Sequence, residues 1–250
     1  LPPFSFVVID GGIAVNPVPQ PAEPTPTPGA GTPTPTPPGA SPTPTPPGDP
    51  CAVAPPLAGD PFADRVVVFL LGTGGGFGSQ QNVLGPPRGE GTAQGSSHVL
   101  SLGNGGSIVL EMTDNRIVDG PGDDFIVYEN PFYAGGDPND RFIEAGIVSV
   151  SEDGIVFVRF EPEIDASRPL GDPARYRNVA GVEPVFPGDG PDCVGGDRFD
   201  LAAVGLPSAR FVRIEDPAAT IDDPGSQAPC SNNCGFDLDA VGILHHAPVP

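Results

Sequence analysis

From Cys51 onward the chain changes character every few residues. RVVVFLLG, HVLSLG, GSIVLEM, DFIVYEN, GIVSVS, IVFVRF, ARFVRIED and FDLDAVGIL are short runs of β-branched and apolar residues, bounded by Gly, Pro, Asn or Asp. Runs of this length read as strands, and the residues at their ends set where the chain reverses. In Ser107-Ile108-Val109-Leu110-Glu111 and Phe211-Val212-Arg213-Ile214-Glu215 the period is two: Ile108 and Leu110, or Val212 and Ile214, fall on one wholly apolar face. No amphipathic pattern persists for the roughly ten residues of an average helix. GGDRFDLAAVGL reads as a turn entering a short helical turn, with Asp197 or Asp200 as its cap. Eight or more strands joined by long loops predict an all-β fold, a jelly-roll-like β-sandwich over residues 51–250.

The first fifty residues cannot join that core, because they hold too few hydrophobes. Residues 17–50 are mostly Pro, Thr, Gly, Ala and Ser, with PTPTP recurring. Proline fixes φ and removes the amide donor, so this stretch predicts a polyproline-II linker rising about 3.1 Å per residue. Thr beside Pro is also a setting for O-linked sugars, here at Thr25, Thr27, Thr32, Thr34, Thr36, Thr43 and Thr45.

Residues 1–16 carry FSFVVIDGGIAV, a strand-like run in front of the linker. Such a strand needs a partner for its backbone and its side chains. It could fold back, fray, or add to a sheet of a neighbouring copy. A stiff tether favours the last, with Phe4, Phe6, Val7, Val8, Ile9, Ile13 and Val15 as the joining residues. Head-to-tail addition that does not close into a ring grows a filament. The numbering starts at Leu1 rather than Met, which suggests a removed export signal. No run approaches the roughly 18–20 apolar residues of a membrane span. An extracellular or cell-surface location is the expectation.

A formal charge of −21 and a pI near 4.1 argue against nucleic acid as a partner, since phosphates require a basic footprint. Every basic residue among the eleven is Arg, and Trp is absent. Four cysteines, Cys51, Cys193, Cys230 and Cys234, predict two disulfides with three pairings open. The CSNNC pair has no second close pair or neighbouring His, as a zinc site would need.

Acidic turns supply the candidate site. DGPGDDFIVYENPFYAGGDPND gathers Asp119, Asp123, Asp124, Glu129, Asp137 and Asp140, and GFDLDAV adds Asp237 and Asp239 on either side of Leu238. Clustered carboxylates repel, and a bound Ca²⁺ would relieve that repulsion. The bland alternative is a solvated loop of Asx-turns. The expected metal ligands are Asp119, Asp123, Asp124, Glu129, Asp237 and Asp239, in a structural calcium site assembled from distant loops. LGTGGGFG lacks the Gly-Lys-Ser/Thr ending of a phosphate loop, and no Gly-x-Ser-x-Gly elbow occurs. His98 lies in a strand pattern, while His245 and His246 read as a frayed end. The chain is not expected to be an enzyme.

NVLGPPRGEG, SLGNGGSIVLEM, IVDGPGDDFIVYENPF, VSVSEDG, GGDRFDLAAVGL, ARFVRIEDP and GFDLDAVGILH, in that order, resemble a family of poorly characterised bacterial cell-surface proteins. The resemblance covers about residues 62–246 and implies an exported β-rich module without an established activity. The last strands are also similar to those of galactose-binding-like jelly rolls. That likeness implies a structural calcium near the chain ends and sugars held by rim loops. With Trp missing, Tyr128, Tyr133 and Tyr176 are the candidate sugar platforms. The expected function is a subunit of a surface filament, with other copies of itself as partners. The alternative is a tethered, calcium-stabilised carbohydrate-binding or adhesion module with glycans as partners.

Overall fold

Period two in the sequence becomes burial with period two. Ile108, Leu110, Val212 and Ile214 are fully buried, while Ser107, Val109, Phe211, Arg213 and Glu215 between them are half-buried. The computed structural model describes residues 59–188, 190–227 and 233–249. All of them belong to one unit, Thr45–Pro250; the other unit, Leu1–Pro44, lies outside the described residues. So do the N-terminal segment of residues 1–16, the linker with its threonines, Cys51 and Cys230.

The strands are β1 (Arg65–Leu70), β2 (Leu100–Ser101), β3 (Ser107–Glu111), β4 (Asn115–Val118), β5 (Phe125–Tyr128), β6 (Phe132–Tyr133), β7 (Arg141–Phe142), β8 (Ile147–Ser151) and β9 (Val158–Arg159). They continue as β10 (Glu163–Ile164), β11 (Tyr176–Arg177), β12 (Asp197–Phe199), β13 (Ser208–Ala209), β14 (Phe211–Glu215), β15 (Asp237–Leu238), β16 (Ala240–Ile243) and β17 (His246–Pro248). Among the described residues the one α-helix is a single turn, α1 (Pro224–Gln227), and none is long and apolar enough to cross a membrane.

The fold is an all-β sandwich. One layer is a five-stranded antiparallel sheet in the order β1-β3-β14-β8-β9, and facing it are β12-β5-β16 and β13-β4-β17. Ile108, Leu110, Val148, Val150, Val212 and Ile214 of the first layer pack with Phe125, Val127, Phe199, Val241 and Ile243 of the second in one core. Phe125 stacks on Phe199 at 5.2 Å and tilts against Phe160 at 5.9 Å. A second apolar cluster, around Ile126, Tyr128, Val185 and Ala240, lies on the other side of β5. Alternation along β5 therefore sends Phe125 and Val127 to one core and Ile126 and Tyr128 to the other.

The glycine run 71–78 packs against residues 100–106. The amides of Gly72, Thr73 and Gly76 donate to the carbonyls of Leu102, Asn104 and Ser101 at 2.8–3.0 Å. A Cβ on Gly72 would come within 2.5 Å of backbone atoms of Gly103, Asn104 and Gly106, so glycine is what lets the two segments touch.

Asp197 and Asp200, both offered as caps, have separate roles. Asp197 opens β12, whereas Asp200 caps the 3₁₀ turn Leu201–Val204 by accepting from Ala202 N–H at 2.8 Å. The C-terminal residues are not frayed. His246–Pro248 pair with β4, and His245 Nδ1 lies 2.8 Å from Asp124 Oδ1. Cys193 and Cys234 are each part of a disulfide, and among the described residues no cysteine is free.

Candidate metal centre

The six carboxylates expected to share one ion fall into separate places. Asp119 sits with Asp124 and Asp200, their ligand atoms all within 4.8 Å of one another, the one such acidic trio among the described residues. Asp123 is exposed on the turn between them, and Asp137 and Asp140 are exposed further along. Asp137 closes an Asx-turn, accepting from Asn139 N–H at 2.9 Å. Asp239 is fully buried and accepts from Arg88 N–H with both oxygens, at 3.0 and 2.8 Å. Burial pushes its carboxyl up to about 7, although the Arg88 contacts oppose the shift.

Within the trio, Asp124 is already occupied. Its Oδ1 accepts from Gly120 N–H at 2.8 Å and meets His245, and its Oδ2 accepts from Leu201 N–H at 2.7 Å. These bonds tie the 119–124 turn, the 3₁₀ turn after β12 and the C-terminal strand together. Asp200 spends an oxygen on its cap. Asp124→Ala is expected to destabilise the fold by about 2–5 kcal/mol, because it strands buried amide donors. Chemical denaturation checks this, and a loss below 1 kcal/mol would deny the anchoring role.

Glu129 and Asp237 belong elsewhere. Glu129 follows β5 on the side that Phe125 and Val127 occupy, so alternation places it at the rim of the main core, where it is 1% exposed. Neither of its oxygens has a hydrogen-bond partner; the Asn130 amide lies nearby without the geometry of a bond. Burial raises its pKa well above the usual range, and the charges of Glu144, Asp237 and Asp197 raise it further. Glu144, between β7 and β8, is raised in turn by burial and then by Asp237, Asp223 and Asp216. Asp237 on β15 is raised chiefly by burial, with the Ser101 hydroxyl and the Asn130 side chain easing it. Its buried Oδ1 has no partner.

Sequence reasoning missed Glu144. A signal for it exists: it is the single charge in Phe142-Ile143-Glu144-Ala145-Gly146-Ile147-Val148, as Glu129 is in the run that ends β5. A lone carboxylate inside an apolar run is buried with its run, and burial demands a partner.

Of the three tyrosines considered for sugar stacking, Tyr128 and Tyr176 are buried and bonded through their hydroxyls to the carbonyls of Pro191 and Leu170. Tyr133 is half-buried, with the Arg141 guanidinium 5.5 Å above its ring. No protein-family model matches the chain, and no curated protein does either.

Proposed function

We propose that the chain is an extracellular structural protein whose copies join by strand addition. The N-terminal strand segment of one copy would pair with the free edge of β1 in the next. The observation that carries this reading is the character of that edge. β1 is the outermost strand of the five-stranded sheet, and Val67, Val68, Leu70 and Leu71 are each more than 40% exposed. An exposed apolar edge of β-branched residues is a template for another strand, and folds that do not use such an edge blunt it. Among the described residues the edge carries Arg65 at its start and a bulge at Val67, which leaves Val68, Phe69 and Leu70 in regular register with β3.

Phe4–Ile9 has the composition to fill that edge. Phe4, Phe6 and Val8 lie on one face and Val7 and Ile9 on the other. The linker that follows would hold the donor away from its own sheet, and the resemblance to surface proteins agrees with export. The rival sugar-binding reading has lost two of its three aromatic platforms to the interior.

The test compares the full chain with a form lacking residues 1–16, and with Leu70→Asp, by electron microscopy and sedimentation. The full chain is expected to form end-to-end assemblies, and both altered forms to remain folded monomers. Equal assembly by all three would remove β1 and the N-terminal strand as the joint. A monomeric full chain would overturn polymerisation itself.

A further inference from the structure

We propose that Glu129, Glu144 and Asp237 form a binding site for one Ca²⁺ ion. The site is independent of strand addition and of the Asp119 trio.

Six carboxylates, from the ends of β5, β7 and β14, the turn before α1, and β12 and β15, lie near one another and divide into two groups. Asp197 accepts from the amides of Gly181 and Val182 at 2.7 and 2.9 Å. Asp216 accepts from Gly105, Ala218 and Phe236 N–H, and Asp223 from Ala145 and Ser226 N–H, at 2.7–3.0 Å. Those three are satisfied by the backbone and fix the loops. Glu129, Glu144 and Asp237 are not. Both Glu129 oxygens and Asp237 Oδ1 are buried without a partner, and Glu144 lies against Gly225 of α1 with no hydrogen bond from the described residues.

The charges that weigh most on Glu129 are those of Glu144, Asp237 and Asp197, and on Glu144 those of Asp237, Asp223 and Asp216; no arginine is among them. Protonation would remove charge from the cluster but leave acceptor oxygens in Glu129 unmatched. A cation answers the charge and the lone pairs together.

The donor set selects the ion. The ligands on offer are carboxylate oxygens, with the Ser101 hydroxyl beside Asp237 and no His or Cys among the charges facing the cluster. That suits a hard cation. Ligands spread over three distant segments suit the irregular shell of Ca²⁺, with six to eight oxygens at about 2.3–2.6 Å, better than the strict octahedron of Mg²⁺. Glu129, Glu144 and Asp237 do not bring their oxygens within the 4.8 Å mutual separation reached by the Asp119 trio, so binding must draw them inward. An ion between them would offset their mutual repulsion.

The test is calorimetric titration of the full chain with CaCl₂ at pH 7.5 after exhaustive EGTA treatment, with melting curves alongside. One ion per chain is expected, together with a melting temperature that rises with calcium and much less with equal MgCl₂. Glu129→Gln should weaken binding at least tenfold, and Asp119→Asn should leave it unchanged. If Glu129→Gln does not fold, Asp237→Asn takes its place with the same expectation. Absence of binding at millimolar calcium would overturn the site. So would unaltered affinity in the variant, or loss of affinity in Asp119→Asn, which would place the ion in the trio. Binding is read per chain whether or not the chains polymerise, so this proposal and the proposed function fail separately.

Discussion

Phe125→Ala is expected to lower the free energy of unfolding by about 3–5 kcal/mol, a large fraction of the 5–15 kcal/mol that holds a typical domain together. Phe125 is fully buried on β5 between Phe199 and Phe160. Removing its ring takes one face from each of two aromatic contacts and leaves a void where the two layers meet. Close packing prevents the neighbours from filling that void without moving the strands. Denaturant unfolding gives the number. A loss under about 1 kcal/mol would mean that the layers are not packed through this residue. The matching change on the sheet's exposed edge, Leu70→Ala, should cost within about 0.5 kcal/mol, as surface substitutions do.

Stripped of divalent cations, the protein should be more stable at pH 5 than at pH 8, by about 4 kcal/mol or more. Burial raises the carboxyls of Asp197 and Asp239 to about 7, and raises those of Glu129, Glu144, Asp223 and Asp237 as well. A carboxyl with a higher pKa folded than unfolded keeps its proton longer in the native state. Between the two values the native state binds more protons, so stability falls as pH rises. For Asp197 and Asp239 the window runs from about pH 4, where the unfolded groups titrate, to about pH 7, and each contributes up to about 1.4 kcal/mol per pH unit within it. Asp153, Asp165 and Asp172 are lowered by local hydrogen bonds and act in the opposite sense, below that window. Melting temperatures in EGTA across pH 4–9 test the sign. A curve that rises from pH 5 to pH 8 would contradict it. Saturating calcium should flatten the descent, because Glu129, Glu144 and Asp237 then stay ionised in the native state.

Alternation made the five-stranded sheet legible. In β3 and β14 the apolar residues Ile108, Leu110, Val212 and Ile214, two apart in each strand, are fully buried. The strands that escaped notice are those without that signal. β4 is Asn115-Arg116-Ile117-Val118, with two polar residues in four; β12 begins on Asp197 inside what reads as a turn; β17 contains Pro248. Each is held by pairing with a partner far away in sequence: β4 with β13 and β17, β12 with β5. Periodicity within a few residues carries no such information. The same reason divides the site. Glu129 and Asp237 drew attention as carboxylates near turns, but Asp119 and Asp124 occupy the same stretch of sequence and a different place in the fold. Glu144 was hidden in a run that reads as pure core. Which acids meet is decided by strand order, and strand order is long-range.

The two margins of the five-stranded sheet are unequal. β1 offers six residues, whereas β9, at the opposite margin, is two residues long. Among the described residues β1 is the longer margin, so if copies join by the proposed strand addition each would have a socket valence of one. Growth by that route would be unbranched and directional. A free peptide of residues 1–16 would then act as a plug, closing one socket per molecule bound and shortening chains in proportion to its amount.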